Sequence, residues 1–123
     1  MIEPALPPGN RYIVTGGRDF TDRRRLYAAL DRLHGKNVIA LIAHGKCPTG
    51  ADLMAEEWCL DNDVECWAFP ADWSKGKAGG PIRNGNMLRI VQAHGVVAFP
   101  TGGPGTADMI RQAEAAGVKV WIP

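Results

Sequence analysis

Short apolar runs alternate with stretches of helical spacing along nearly the whole chain, and glycine or proline marks most of the junctions. Tyr12-Ile13-Val14 runs into Thr15-Gly16-Gly17-Arg18-Asp19, after which Leu26, Leu30 and Leu33 recur at helical spacing behind a cap at Thr21 or Asp22. Residues 38–43 are continuously apolar, as in a strand covered on both faces, and empty into His44-Gly45-Lys46-Cys47-Pro48-Thr49-Gly50. Ala51, Met54, Ala55 and Trp58 then line one side of a second helix, and residues 64–69 form a third strand. A connection over residues 70–81 leads to a third helix at 82–93, with Met87, Leu88 and Val91 on its apolar side. The fourth strand, 96–99, stops at Pro100-Thr101-Gly102-Gly103-Pro104-Gly105-Thr106. Thr106 is placed to cap a fourth helix with Ile110 and Ala113 inward, Gly117 to end it, and residues 118–122 to form a last strand.

Five strands alternating with four helices predict an α/β fold, a three-layer sandwich around a five-stranded parallel sheet. In the order 3-2-1-4-5 the ligand crevice of such a sheet lies between strands one and four, beyond their carboxyl ends. The turns at 15–19 and 100–106 then face each other, with the loop after strand two beside them. The chain's 123 residues suffice for one core. We read 11–123 as a single domain and 1–10, which holds three prolines and a glycine, as an extended arm.

The formal charge of +1 gives no sequence-wide basic excess for nucleic acid. Cys47, Cys59 and Cys66 are an odd number without a C-x-x-C pair, which argues against a disulfide framework and a zinc knuckle and for packing in a reduced compartment. No apolar run approaches the length of a membrane span and the first residues lack a signal-peptide pattern, so a cytoplasmic protein is expected. No His, Cys and acid set has metal-ligand spacing, no Ser-His or Cys-His pairing stands out, and neither a metal nor a cofactor is predicted.

The three glycine turns match neither G-x-G-x-x-G nor G-x-x-x-x-G-K-[ST]. At the start of the fourth helix, unpaired N–H groups and the dipole favour an anion such as phosphate at Gly102, Gly103, Gly105 and Thr106. Gly16, Gly17 and Arg18 form an adjoining wall, with His44 and Gly45 next to it. Arg83 is expected in the first turn of the third helix, where a cation opposes the dipole and a ligand anion or a nearby carboxylate would explain it; Lys46 is a further cation near the turns, and Lys75 and Lys77, in the 70–81 connection, are expected to decorate a solvated loop. Asp19, Asp52 and Asp108 can take ribose hydroxyls, orient a water, or cap helices. Trp73 can stack on a base or pin its loop to the core.

At these residues the chain resembles the SLOG superfamily of Rossmann-like proteins, and most closely its YspA-like branch. The resemblance rests on Val14-Thr15-Gly16-Gly17-Arg18-Asp19-Phe20, His44-Gly45, Thr49-Gly50-Ala51-Asp52, Ala55, Trp58 and Phe69-Pro70-Ala71-Asp72-Trp73. It continues through Ala78-Gly79, Pro81, Arg83-Asn84, Met87, Phe99-Pro100, Gly102-Gly103 and Gly105-Thr106-Ala107-Asp108-Met109. It implies a site for a nucleotide or ADP-ribose-like ligand, in a sensor or a processing domain, and a homodimer. The Lonely Guy phosphoribohydrolases of that superfamily carry R-K-x-x-M and P-G-G-x-G-T-x-x-E. Here Arg83 and Met87 match with Asn84 in place of the lysine, Gly102, Gly103, Gly105 and Thr106 match the phosphate turn, and Met109 stands where those hydrolases have glutamate. Hydrolysis of a nucleotide N-glycosidic bond would need another carboxylate, Asp52, Asp19 or Asp108. Single-stranded nucleic-acid binding is a third reading that the charge and the single loop tryptophan do not favour.

Overall fold

The computed structural model describes residues 5–123; the expected arm falls partly on residues 1–4, which lie outside the described residues. Strand β1 (Asn10–Gly16) leads to α1 (Arg23–Lys36), β2 (Ile39–His44), α2 (Gly50–Asn62) and β3 (Glu65–Ala68). A short 3-10 helix (Trp73–Ala78) runs into α3 (Gly79–Val91), followed by β4 (Gly95–Phe99), α4 (Pro104–Ala115) and β5 (Lys119–Trp121). The strands pair in the order β3-β2-β1-β4-β5, every pair parallel, so the predicted Rossmann-like topology is the observed one.

Alternation along the central strands sorts the core into two layers. Val14 and Val97, paired in register, face α1 and α2 and meet Leu26, Leu30, Ala55 and Trp58. Their neighbours Ile13 and Val96 face α3 and α4 and meet Met87, Val91, Met109 and Ala113. Trp58 is fully buried, its ring at the edge of His34 and its Nε1 donating to Asp31 Oδ1 at 2.9 Å, which ties α2 to α1. Because the chain winds one way from β1 to β3 and the other way from β4 to β5, loops diverge above β1 and β4 and open a crevice there.

Several boundaries move for local reasons. Asp22, not Thr21, caps α1 by accepting from the Arg25 N–H at 3.1 Å. Val38 is 72 % exposed and precedes β2, which ends on His44 instead of Ala43. Most of the expected 70–81 connection is helical, leaving 69–72 open. Pro81 sits in the first turn of α3, where a missing N–H breaks no helical bond. Thr106 does not cap α4: Gly103 holds the N-cap position, Pro104 is the first helical residue, and Thr106 lies buried in the first turn. Met109 and Ala113 are the fully buried residues of that helix, while Ile110 is half-buried. Among the described residues no helix is long and apolar enough to cross a membrane.

Candidate functional site

A cavity of about 860 Å³ opens above the carboxyl ends of β1, β2 and β4. The β1 turn contributes Gly16, Gly17, Arg18 and Asp19, the β2 loop Gly45, Lys46 and Cys47 with Asp52 from α2, and the β4 turn residues 101–106. Trp73, Arg83, Asn84 and Met87 close the remaining side. Of the charged groups on this wall, Arg18, Lys46 and Arg83 are cations and Asp19 and Asp52 acids, a balance that suits an anionic ligand only at particular points.

The glycines of the three turns fall into two kinds. A Cβ on Gly17 would run into the Thr101 side chain, one on Gly16 would be wedged between Ala51 and Phe99, and one on Gly45 would strike the Arg83 guanidinium. These glycines let the turns touch one another. Gly103 and Gly105 are different, because a Cβ at either would meet no atom within 4 Å. Nothing in the chain requires glycine there, and Gly105 lies in a helix, where glycine is a poor former. The bare backbone faces the cavity at the N-terminus of α4, where first-turn N–H groups have no helical acceptor.

Arg83 stands in the second turn of α3, not the first, because the helix begins at Gly79, so opposition to the dipole does not explain it. Backbone carbonyls do. Its Nη1 donates to Gly45 O at 2.6 Å and to Phe69 O at 3.3 Å, and its Nε to Asn84 Oδ1 at 2.8 Å. Nη2 has no protein acceptor among the described residues. Burial lowers the Arg83 pKa, against the opposing pull of Asp52, Cys47 and Asp108; the group stays a cation regardless. Asn84, 3 % exposed, turns its Nδ2 to Gly105 O at 3.2 Å and Asp108 Oδ2 at 3.0 Å, so it couples Arg83 to the first turn of α4.

The three candidate acids separate. Asp108 does not line the cavity; Asn84, Gln112 at 2.8 Å and Arg111 at 3.6 Å use its carboxylate to brace α3 against α4. Asp19 is exposed and accepts the Thr101 hydroxyl at 2.5 Å, a bond that lowers its pKa and latches the β1 turn to the β4 turn. Asp52 is 7 % exposed, accepts the Cys47 N–H at 3.1 Å and faces the cavity. Burial raises its pKa above the ordinary 3.8, although the Cys47 N–H, His44 and Arg83 favour the anion.

Since the folded chain holds that proton more tightly than the unfolded one, Asp52 favours folding below pH 3.8 and loses this contribution as pH rises through its folded value. Asp52→Asn, which cannot ionise and keeps an oxygen for the Cys47 N–H, is expected to be more stable than the parent at neutral pH, with the gain vanishing in acid. Urea unfolding at about pH 7 and about pH 3 measures this. Equal stability at neutral pH would mean that Asp52 is well solvated.

His44 lies beneath the cavity, not in its wall: it is 1 % exposed, and its Nδ1 accepts the Lys46 N–H at 3.0 Å. That bond holds Lys46 in the left-handed region, φ 61°, and shapes the loop that carries Cys47. Trp73 is 61 % exposed at the rim, with its ring beside Gly79 and Gly80. Lys75 and Lys77 stay outside the wall. Met109 is fully buried under the sheet and does not line the cavity, and neither it nor Trp58 has surface to offer a dimer interface. Sequence reasoning does not single out Thr15, Cys47 or Met87 as site residues, although all three line the wall; Thr15 and Cys47 fall within glycine turns, while Met87 reads as an apolar contact of the third helix. It also missed that His44 and Cys66 share a sheet face, which only strand register discloses.

A model of the YspA, cpYpsA-related SLOG family matches residues 11–76, which takes in β1 through most of the 3-10 helix. Over 118 residues the chain is 35 % identical to the Gene 61 protein of Mycobacterium phage D29, covering 89 % of this chain and 93 % of that protein. No solved structure matches significantly. With the parallel 3-2-1-4-5 sheet and its glycine turns, these matches make the chain a member of the YspA, cpYpsA-related SLOG family.

Proposed function

We propose that the chain binds a nucleotide or ADP-ribose-like phosphorylated ligand in this cavity, as a sensor or a processing domain. The observation that carries the reading is the open backbone at Gly103 and Gly105, set on a helix N-terminus and facing about 860 Å³ of space. Phosphate would lie against residues 102–106, within a site to which Arg83 brings its unengaged Nη2. Asp52 would take a ribose hydroxyl, Gly16, Gly17 and Arg18 would flank the sugar, and the exposed Trp73 ring would cover the base.

A calorimetric screen of nucleoside mono-, di- and triphosphates, NAD and ADP-ribose is expected to find a binder. Trp73→Ala should weaken that binder roughly tenfold, the loss of about one stacking interaction. No heat from any of these compounds, or a Trp73→Ala variant that binds like the parent, would count against the assignment. Asp52 favours a second reading, cleavage of an N-glycosidic bond, because a buried carboxyl with a raised pKa suits proton transfer. Chromatographic release of free base from nucleoside monophosphates, lost in Asp52→Asn, is its expected signature; background release alone would leave binding as the function.

A further inference from the structure

Strands β2 and β3 pair with Ile42 opposite Cys66 and His44 opposite Ala68. Residues two apart on a strand share a face, so His44 and Cys66 are diagonal neighbours on the side covered by α2. From that helix come Glu56 and Cys59, three residues apart and therefore on one side. His44 is 1 % exposed with Nε2 3.3 Å from Glu56 Oε1, Cys59 is buried in the same core layer, and Cys66 is partly exposed beside it. His44 Nδ1 is already an acceptor for Lys46 N–H, so the imidazole carries its proton on Nε2. That nitrogen has no aligned hydrogen-bond partner among the described residues, an unusual state for a buried polar atom.

We propose that Cys66 and Cys59 form a peroxide-sensitive dithiol, positioned by His44, whose oxidation loosens the β2–α2 loop of the cavity wall. The Cys66 thiolate attacks the terminal oxygen of a hydroperoxide. An S–O bond forms, the O–O bond breaks, and the leaving alkoxide or hydroxide takes a proton from water, the Cys66 proton having already passed to solvent while the His44 Nε2–H faces the thiolate, so sulfur is oxidised and peroxide reduced. The Cys59 thiol then attacks the sulfenic sulfur, giving a disulfide and releasing water. Cys59 and then His44 already favour the Cys66 thiolate, bringing its pKa to about 6, while the Cys66 neighbour and burial push Cys59 up. Burial alone would lower the His44 pKa, but Cys66, Asp52 and Glu56 outweigh it and the net shift is upward. Once Cys66 is tied to Cys59, its negative charge no longer faces His44, and the His44–Lys46 bond loses its support.

The test uses the full chain carrying Cys47→Ser, so that two thiols remain, with hydrogen peroxide as the oxidant. Intact mass and alkylation should show both thiols lost within one monomer, together with two hydrogen atoms. Cys59→Ala should stop at a Cys66 sulfenic acid captured by dimedone, and Cys66→Ser should abolish the reaction. His44→Gln, with folding checked by circular dichroism, should slow Cys66 oxidation about tenfold and move the pH profile of its alkylation upward. Hydrogen exchange at the Lys46 amide should accelerate on oxidation and recover with a thiol reductant. Both thiols surviving peroxide in the folded chain, bridges only between chains, or Lys46 exchange indifferent to the disulfide would each overturn the proposal. None of these readouts depends on the cavity's ligand.

Discussion

Gly103→Asp should reduce nucleotide affinity by about a hundredfold or more while leaving the fold intact, because it sets a carboxylate against the place proposed for phosphate. The position is the N-cap of α4, its backbone lies at φ −78° and ψ 154°, and a Cβ there meets no atom within 4 Å. Aspartate is a good N-cap residue, so the variant should unfold at the same or higher urea concentration as the parent. Opposite directions for binding and stability make the experiment discriminating. Unchanged affinity in calorimetry would remove phosphate from the α4 turn, and a destabilised variant would mean that the turn is more crowded than its geometry indicates.

Trp58→Ala is expected to cost about 3–5 kcal/mol in urea unfolding, the range for emptying a large buried aromatic site. The side chain is fully buried between α2, α1 and the sheet, and it also loses the Nε1 bond to Asp31 at 2.9 Å. Against a total stability of about 5–15 kcal/mol for an ordinary domain, this single change consumes much of the margin. Trp58→Phe keeps most of the ring and should fall between the two. A loss below about 1 kcal/mol for the alanine variant would contradict the packing of α2 on α1.

The alternation of apolar runs and glycine turns made the sheet and its order legible, since parallel strands buried on both faces read as continuous apolar segments. Boundaries were less so. Pro81 reads as the end of a loop, yet proline is equally at home in a first helical turn, and only the packing of α3 on the sheet decides between them. Thr106 is a good cap by composition, but Gly103 reaches that position first and Thr106 is buried. In the site, the glycine turns and Arg83 were visible as types but not as roles. Gly17 and Gly103 look alike in sequence; one is pressed against Thr101 and the other faces open space. Asp108 and Asp52 likewise each follow a glycine turn, and which is a brace and which faces the cavity depends on Asn84, brought to Asp108 by α3, together with Gln112 one turn further along α4. The diagonal approach of His44 to Cys66 had no local signal at all, because it follows from register across two strands.

The order of the sheet also bears on how occupancy would be felt by the chain. The β1 turn and the β4 turn belong to opposite halves of the sequence and meet across the crevice through Asp19 and Thr101. A molecule seated between them would span the seam along which the two halves could part. By mass action, ligand at a hundred times its dissociation constant adds about 2.7 kcal/mol to the folded state. In a chain of this size such an occupant is a fastener as well as a cargo, and scarcity of ligand would be read out as susceptibility to unfolding.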